Sequence, residues 1–180
     1  MKELISKTFP CLTGTCLETV NHPIFWVDES QDNETIHLPK GKSFLRTTTN
    51  DDNLFTVYNE SETQITFLAI DKGIFTDSSV FRFKRCDFAL FDQRRFCFIE
   101  CKDSVSKQRS KERNSAFEQL KETIQHFKQA INFGSYQLEA QVSLKAKKVF
   151  PRQQCTRMDK VKEFEDELNV ALFENNEISF

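Results

Sequence analysis

An α/β fold, a mixed β-sheet flanked by helices, is what this sequence predicts. Three observations point to it. From residue 63 onward the hydrophobic pattern reads strand, strand, strand, helix, strand, helix. One stretch of that order carries apolar residues at helical 3–4 spacing over several turns. The balance of 38% hydrophobic to 29% charged residues in 180 is that of an ordinary globular chain, large enough for one core.

The chain therefore reads as a single domain, 1–180, in three parts. Residues 1–62 form a strand-rich and irregular N-terminal extension. It opens on a short helix and continues through strand-like pieces such as ETIHL (34–38), SFLRTT (43–48) and NLFTVY (53–58). Turn-rich DESQDN, PKGK and TNDDN separate them.

Residues 63–150 form the core. TQITFLAI (63–70) is an apolar, β-branched run closed by the turn DKG, the pattern of a buried strand. SVFRFK (79–84) alternates and leads into CDFALF (86–91), and FCFIECK (96–102) is the next strand. A helix follows over about 106–133. Ala116, Leu120, Ile124, Phe127 and Ile131 share its buried face, and Gly134 stops it. Residues 135–150 alternate cleanly at Tyr136, Leu138, Ala140, Val142, Leu144 and Ala146, which predicts a half-buried strand. Residues 151–180 add a short helix (about 158–169, with Val161, Phe164 and Leu168 on one side) and a last strand-like segment.

Several function classes lose support at once. No run approaches the roughly 20 apolar residues of a membrane helix, and the first residues are too polar for a secretory leader, so the expectation is a cytoplasmic protein. There is no Gly-rich phosphate loop, G-x-S-x-G or H-E-x-x-H. Cys11 and Cys16 are spaced too widely for a CxxC pair, and the six cysteines read as reduced structural thiols. His22, His37 and His126 are scattered and read as structural. With a net charge of −2, any binding to phosphates needs a local patch.

The informative stretch is RCDFALFDQRRFCFIECKDS, residues 85–104. Between its two strands lies the even-length polar turn DQRR. A symmetric hairpin sets Phe91 against Phe96 and, by the same count, Asp87 against Glu100. Lys102, two residues on, shares the face of Glu100. Facing like charges destabilise a sheet unless something offsets them, and a divalent cation does so better than a lone lysine. The alternative is a plain ion pair of Glu100 with Lys102 on a solvated sheet.

At these residues the segment resembles the PD-(D/E)xK nuclease superfamily, whose shared core is a mixed sheet with flanking helices, the restriction-endonuclease-like fold. CD at 86–87 takes the place of the family's PD, and ECK at 100–102 matches its E-x-K. The resemblance covers about residues 63–150. It implies that Asp87 and Glu100, helped by the main-chain carbonyl of Cys101, coordinate Mg²⁺ (or Mn²⁺). Lys102 would orient the attacking water or stabilise charge on the phosphate. The implied activity is phosphodiester hydrolysis by an endonuclease or exonuclease, with DNA as the expected nucleic acid, in restriction, phage defence or mobile-element biology. A homodimer or accessory protein is the kind of partner such enzymes use.

FEQL at 117–120 looks like the family's post-motif helix, so Gln119 is a candidate to support the site; a solvent-facing glutamine is the plainer reading. Lys107, Arg109, Lys111 and Arg113 supply a basic run beside the motif, suited to phosphate contacts, and Lys145, Lys147, Lys148 and Arg152 would extend it if they share its side. The family commonly adds an acid from a preceding helix. Here Glu3, Glu18, Glu60 and Glu62 are the candidates, and none stands out. Two rivals remain: a catalytically inactive protein of this fold that binds nucleic acid or a partner, and an interaction or immunity-type protein with a structural ion network.

Overall fold

A computed structural model describes residues 1–12, 15–29, 38–49, 54–76, 83–102, 109–144, 153–154 and 157–180. In chain order its elements are helix α1 (Lys2–Thr8) and strands β1 (Leu17–Val20), β2 (Ile24–Glu29), β3 (Ser43–Arg46), β4 (Phe55–Tyr58), β5 (Ile65–Ala69), β6 (Phe88–Phe91) and β7 (Arg95–Lys102). Helix α2 (Arg109–Ala130), strands β8 (Gln137–Leu144) and β9 (Gln153–Gln154), helix α3 (Met158–Leu168), and strands β10 (Ala171–Glu174) and β11 (Glu177–Ser179) follow.

The strands build two mixed sheets rather than one. The larger has the order β1-β5-β6-β7-β8-β10-β9, the smaller β11-β4-β2-β3. β5, β6 and β7 are antiparallel neighbours, which hairpin connections allow; β7, β8 and β10 run parallel, and α2 and α3 provide the crossovers that parallel pairing requires. Rings define what covers each face. Phe98 on β7 meets Phe127 of α2 at 5.3 Å, whereas Phe88 on β6 meets Phe55 of β4 at 5.5 Å. The large sheet is thus sandwiched between α2 and the smaller sheet, and one apolar cluster runs through both interfaces.

That arrangement overturns one expectation. β8 is buried along its whole length after Gln137, not half-buried. Its polar positions face the smaller sheet and are satisfied there, as buried polar groups must be. Glu139 takes two hydrogen bonds from Arg95, at 2.9 and 3.0 Å. Gln141 donates to the carbonyls of Asn175 and Glu177, and Ser143 donates to Asn176 Oδ1. Strict alternation marks two different environments here, and neither is solvent.

Other expectations fare as follows. Helix α2 and its buried Ala116, Leu120, Ile124 and Phe127 fall inside the predicted span, but the helix ends earlier, at Ala130. Ile131 is thus buried past the helix, and Gly134, with φ 59°, lies four residues beyond its end. Val161, Phe164 and Leu168 are the buried side of α3. The DKG turn closes against the preceding strand so tightly that a Cβ on Gly73 would lie 2.2 Å from the Ala69 carbonyl oxygen. Phe83 and Lys84 are not in a strand, while the rest of the SVFRFK segment and ETIHL up to His37 lie outside the described residues. Cys11 and Cys16 are joined by a disulfide, with Cα atoms 5.6 Å apart, contrary to the reading of all six cysteines as thiols. Spacing excluded a CxxC metal pair but says nothing against two cysteines on one tight loop. Among the described residues no helix is long and apolar enough to cross a membrane.

Candidate functional site

The hairpin register is the one the even turn implies: Phe91 pairs with Phe96 and Phe88 with Ile99. Asp87 is one residue before β6, just past the last paired position, and near enough to Glu100 on β7 for the Glu100 charge to act on its carboxyl. Its main chain is held from the other side, because the amides of Ile70 and Asp71 both donate to the Asp87 carbonyl, at 2.9 and 3.2 Å. Its side chain is held too: the Cys101 amide donates to Asp87 Oδ2 at 2.6 Å.

Glu100 is fully buried. Its Oε1 lies 2.5 Å from Lys102 Nζ, whereas its Oε2 has no hydrogen-bond partner among the described residues. Lys102 Nζ also donates to Gln119 Oε1 at 2.6 Å. Gln119 is locked in turn, since its Nε2 donates to the Arg85 carbonyl at 2.8 Å and Ser115 Oγ donates to its Oε1 at 3.3 Å. Gln119 is thus not the solvent-facing residue of the plainer reading; it fixes the amine from α2. Beside it runs a groove of about 350 Å³, lined by Asp71, Phe83, Lys84, Arg85, Ser115 and Gln119.

Among the described residues, none of Glu3, Glu18, Glu60 and Glu62 belongs to a donor cluster with Asp87. A different acid, Glu29 at the end of β2 in the smaller sheet, is the one grouped with Asp87. Carboxylate oxygens of Glu29 and Asp87 and the Cys101 sulfur all lie within 4.8 Å of one another, the one such cluster among the described residues. Glu29 falls in DESQDN, which reads as a turn. The signal was the period-2 series Phe25, Val27, Glu29, whose first two members are buried against the large sheet.

Crowding of acids in a dry place changes their proton affinity. Burial, then the Glu100 and Glu29 charges, push the Asp87 carboxyl well above the usual range. Burial pushes Glu100 up to about 7, against the pull of Lys102. Burial disfavours the charge on Lys102, but the Glu100 and Asp87 carboxylates outweigh it and keep the ammonium protonated beyond its ordinary range. The carboxylates of Glu100, Asp87 and Glu29 all act on the Lys102 amine. A cation would offset that crowding of carboxylates, and the orphaned buried oxygen of Glu100 fits the same need.

The basic run is divided. Lys107 lies outside the described residues, as do Lys145, Lys147, Lys148 and Arg152. Lys111 is exposed near the start of α2, and Arg109 is half-buried there. Arg113 is bound to Glu174 at 2.5 Å, so a phosphate would have to compete with that carboxylate. His126 packs among rings, stacked on Phe83 at 4.4 Å, in keeping with a structural role; His37 is outside the described residues.

No protein-family model, curated protein or solved structure matches this chain.

Proposed function

We propose that the chain is a metal-dependent nuclease, hydrolysing phosphodiester bonds with DNA as its substrate, and that its core is a variant of the restriction-endonuclease-like arrangement. One observation carries the reading: Asp87, fixed by the Cys101 amide at the mouth of the hairpin, lies within reach of the Glu100 charge, and Lys102 beside Glu100 is an amine positioned by Gln119. Asp87, Glu100 and the Cys101 carbonyl would hold Mg²⁺ or Mn²⁺. When bound, such an ion acts as a Lewis acid and lowers the pKa of its water.

The chain's own residues do the rest. Asp87 is fixed by the Cys101 amide and so presents its other oxygen in one direction. Lys102, kept charged by its acidic neighbours and aimed by Gln119, supplies a hydrogen-bond donor to a phosphate oxygen or to the attacking water. The groove next to Gln119, which Lys84 and Arg85 also line, would give room for the substrate backbone. Exposed Lys111 and the neighbouring Arg109 suit contacts to phosphates further along the strand.

A second reading, a closed ion network without catalysis, draws on the same Lys102, whose amine is already engaged by both Glu100 and Gln119. Incubating plasmid, single-stranded DNA and RNA with Mg²⁺ or Mn²⁺ separates the two. The nuclease reading expects cleavage that disappears in Asp87→Ala and in Lys102→Ala. Intact substrates after exposure to the folded wild type with either ion would sink it.

A further inference from the structure

The family-like pattern asks for oxygen ligands only, yet the cluster at the hairpin end contains a sulfur. We infer that Glu29, Asp87 and the Cys101 thiolate form a mixed oxygen–sulfur cation site, which takes a thiophilic divalent ion of the Zn²⁺ class in preference to Mg²⁺. The inference rests on the reading that Asp87 is a cation ligand, and not on phosphodiester cleavage.

Geometry comes first. Bonds of roughly 2.0–2.3 Å let two donors on one ion stand up to about 4.5 Å apart. The Glu29, Asp87 and Cys101 donors, all within 4.8 Å of one another, need only a small adjustment to share an ion. They also come from two directions. Glu29 arrives on β2 of the smaller sheet, Asp87 and Cys101 on the β6–β7 hairpin of the larger, and an ion between them is enclosed from both sides.

A buried oxygen without a partner stands close by. Glu100 is fully buried, and its Oε2 has no hydrogen-bond partner among the described residues. Its charge and that of Glu29 both act on the Asp87 carboxyl, while its side chain, which alternates with that of Cys101 along β7, stands outside the group of three donors. An unpaired carboxylate oxygen beside two more carboxylates is what a cation relieves.

The donor set then decides which ion. Carboxylates alone suit Mg²⁺, whereas a thiolate selects softer ions, Zn²⁺ above all, and adds little for Mg²⁺. Binding breaks the Cys101 S–H bond, releases its proton to solvent and forms one sulfur–metal bond; no electron changes hands.

Co²⁺ serves as the spectroscopic stand-in for Zn²⁺. The purified chain is titrated with Co²⁺, Zn²⁺ and Mg²⁺ in thiol-free buffer, reading the near-ultraviolet thiolate-to-cobalt charge-transfer band and the shift in Tm. The expected result is a band in the wild type that is absent in Cys101→Ser, with Zn²⁺ raising Tm at far lower concentration than Mg²⁺. In Cys101→Ser the Zn²⁺ affinity falls by at least about tenfold while that for Mg²⁺ stays. Glu29→Gln, which keeps the thiol, weakens Co²⁺ binding and retains the band, guarding against a Cys101 variant that fails to fold. Co²⁺ binding with no charge-transfer band, or a band that survives Cys101→Ser, overturns the inference. If no ion binds at all, both this inference and the metal in the nuclease reading fail. A band without cleavage of any nucleic acid leaves the site standing and removes only the nuclease.

Discussion

Replacing Glu100 by Gln removes a charge while keeping the shape, and the structure sets the size of the effect. The carboxyl ionises at about 7 in the fold, against an ordinary 4.5. Each tenfold difference in proton affinity is about 1.4 kcal/mol, so holding the charged form inside the ion-free protein costs about 3 kcal/mol. The sign follows from the direction of the shift. Below the ordinary value both folded and unfolded chains keep the proton and there is no cost. Between the two values only the unfolded chain releases it, so stability falls as pH rises; above about 7 the full cost is present. Glu100→Gln has no such term. Urea unfolding in EDTA is therefore expected to show the variant gaining about 3 kcal/mol on the wild type between about pH 4 and about pH 8. Saturating Zn²⁺ or Mn²⁺ should stabilise the wild type and narrow the gap. A difference between the two proteins that stays constant over that pH range refutes the reasoning, because Glu100 would then be charged at no cost.

Other perturbations test the frame around the site. Arg95→Ala leaves the buried Glu139 without its two guanidinium bonds and is expected to cost about 3 kcal/mol in chemical denaturation, whereas Arg95→Met with Glu139→Leu recovers most of it. Gly73→Ala drives a methyl into the Ala69 carbonyl and should lower stability by about 1–3 kcal/mol, read as a drop in Tm. Reduction of the Cys11–Cys16 bond opens a short loop and should cost about 2 kcal/mol, checked by thermal unfolding with and without reductant and by the mass gain of two hydrogens. In the nuclease reading Gln119→Ala reduces cleavage by releasing Lys102, and the loss of its bonds to Lys102 and the Arg85 carbonyl should cost about 1 kcal/mol, read as a small drop in Tm.

Local pattern was enough to read the hairpin. An even polar turn between two apolar runs admits one symmetric register, and that register alone brings Asp87 and Glu100 together. It was equally enough for α2, whose periodic face is long, and for α3 with its three buried apolar positions. What spacing misses is whatever depends on a distant cover. Glu29 reads as part of a turn because β2 ends in two acids, and only the large sheet lying over that end shows where it points. Glu139, Gln141 and Ser143 read as a wet face because the strands that bury them are far away in sequence. Gln119 looks solvated for the same reason: its partners, Arg85 and Lys102, belong to other elements. Two sheets rather than one is the common source of these differences.

The pairing of β11 with β4, which sets Glu177 beside Thr56, has a consequence for how the protein is made. Strands β3, β2 and β4 emerge early from a ribosome, but the outer edge of β4 is a bare template until residues 177–179 arrive. During that interval a second nascent chain offers the same hydrogen bonds as the missing rung does. Such distant pairing also slows folding. Crowded synthesis or truncation near residue 177 is therefore the circumstance in which this chain is most exposed to sticking to its own copies.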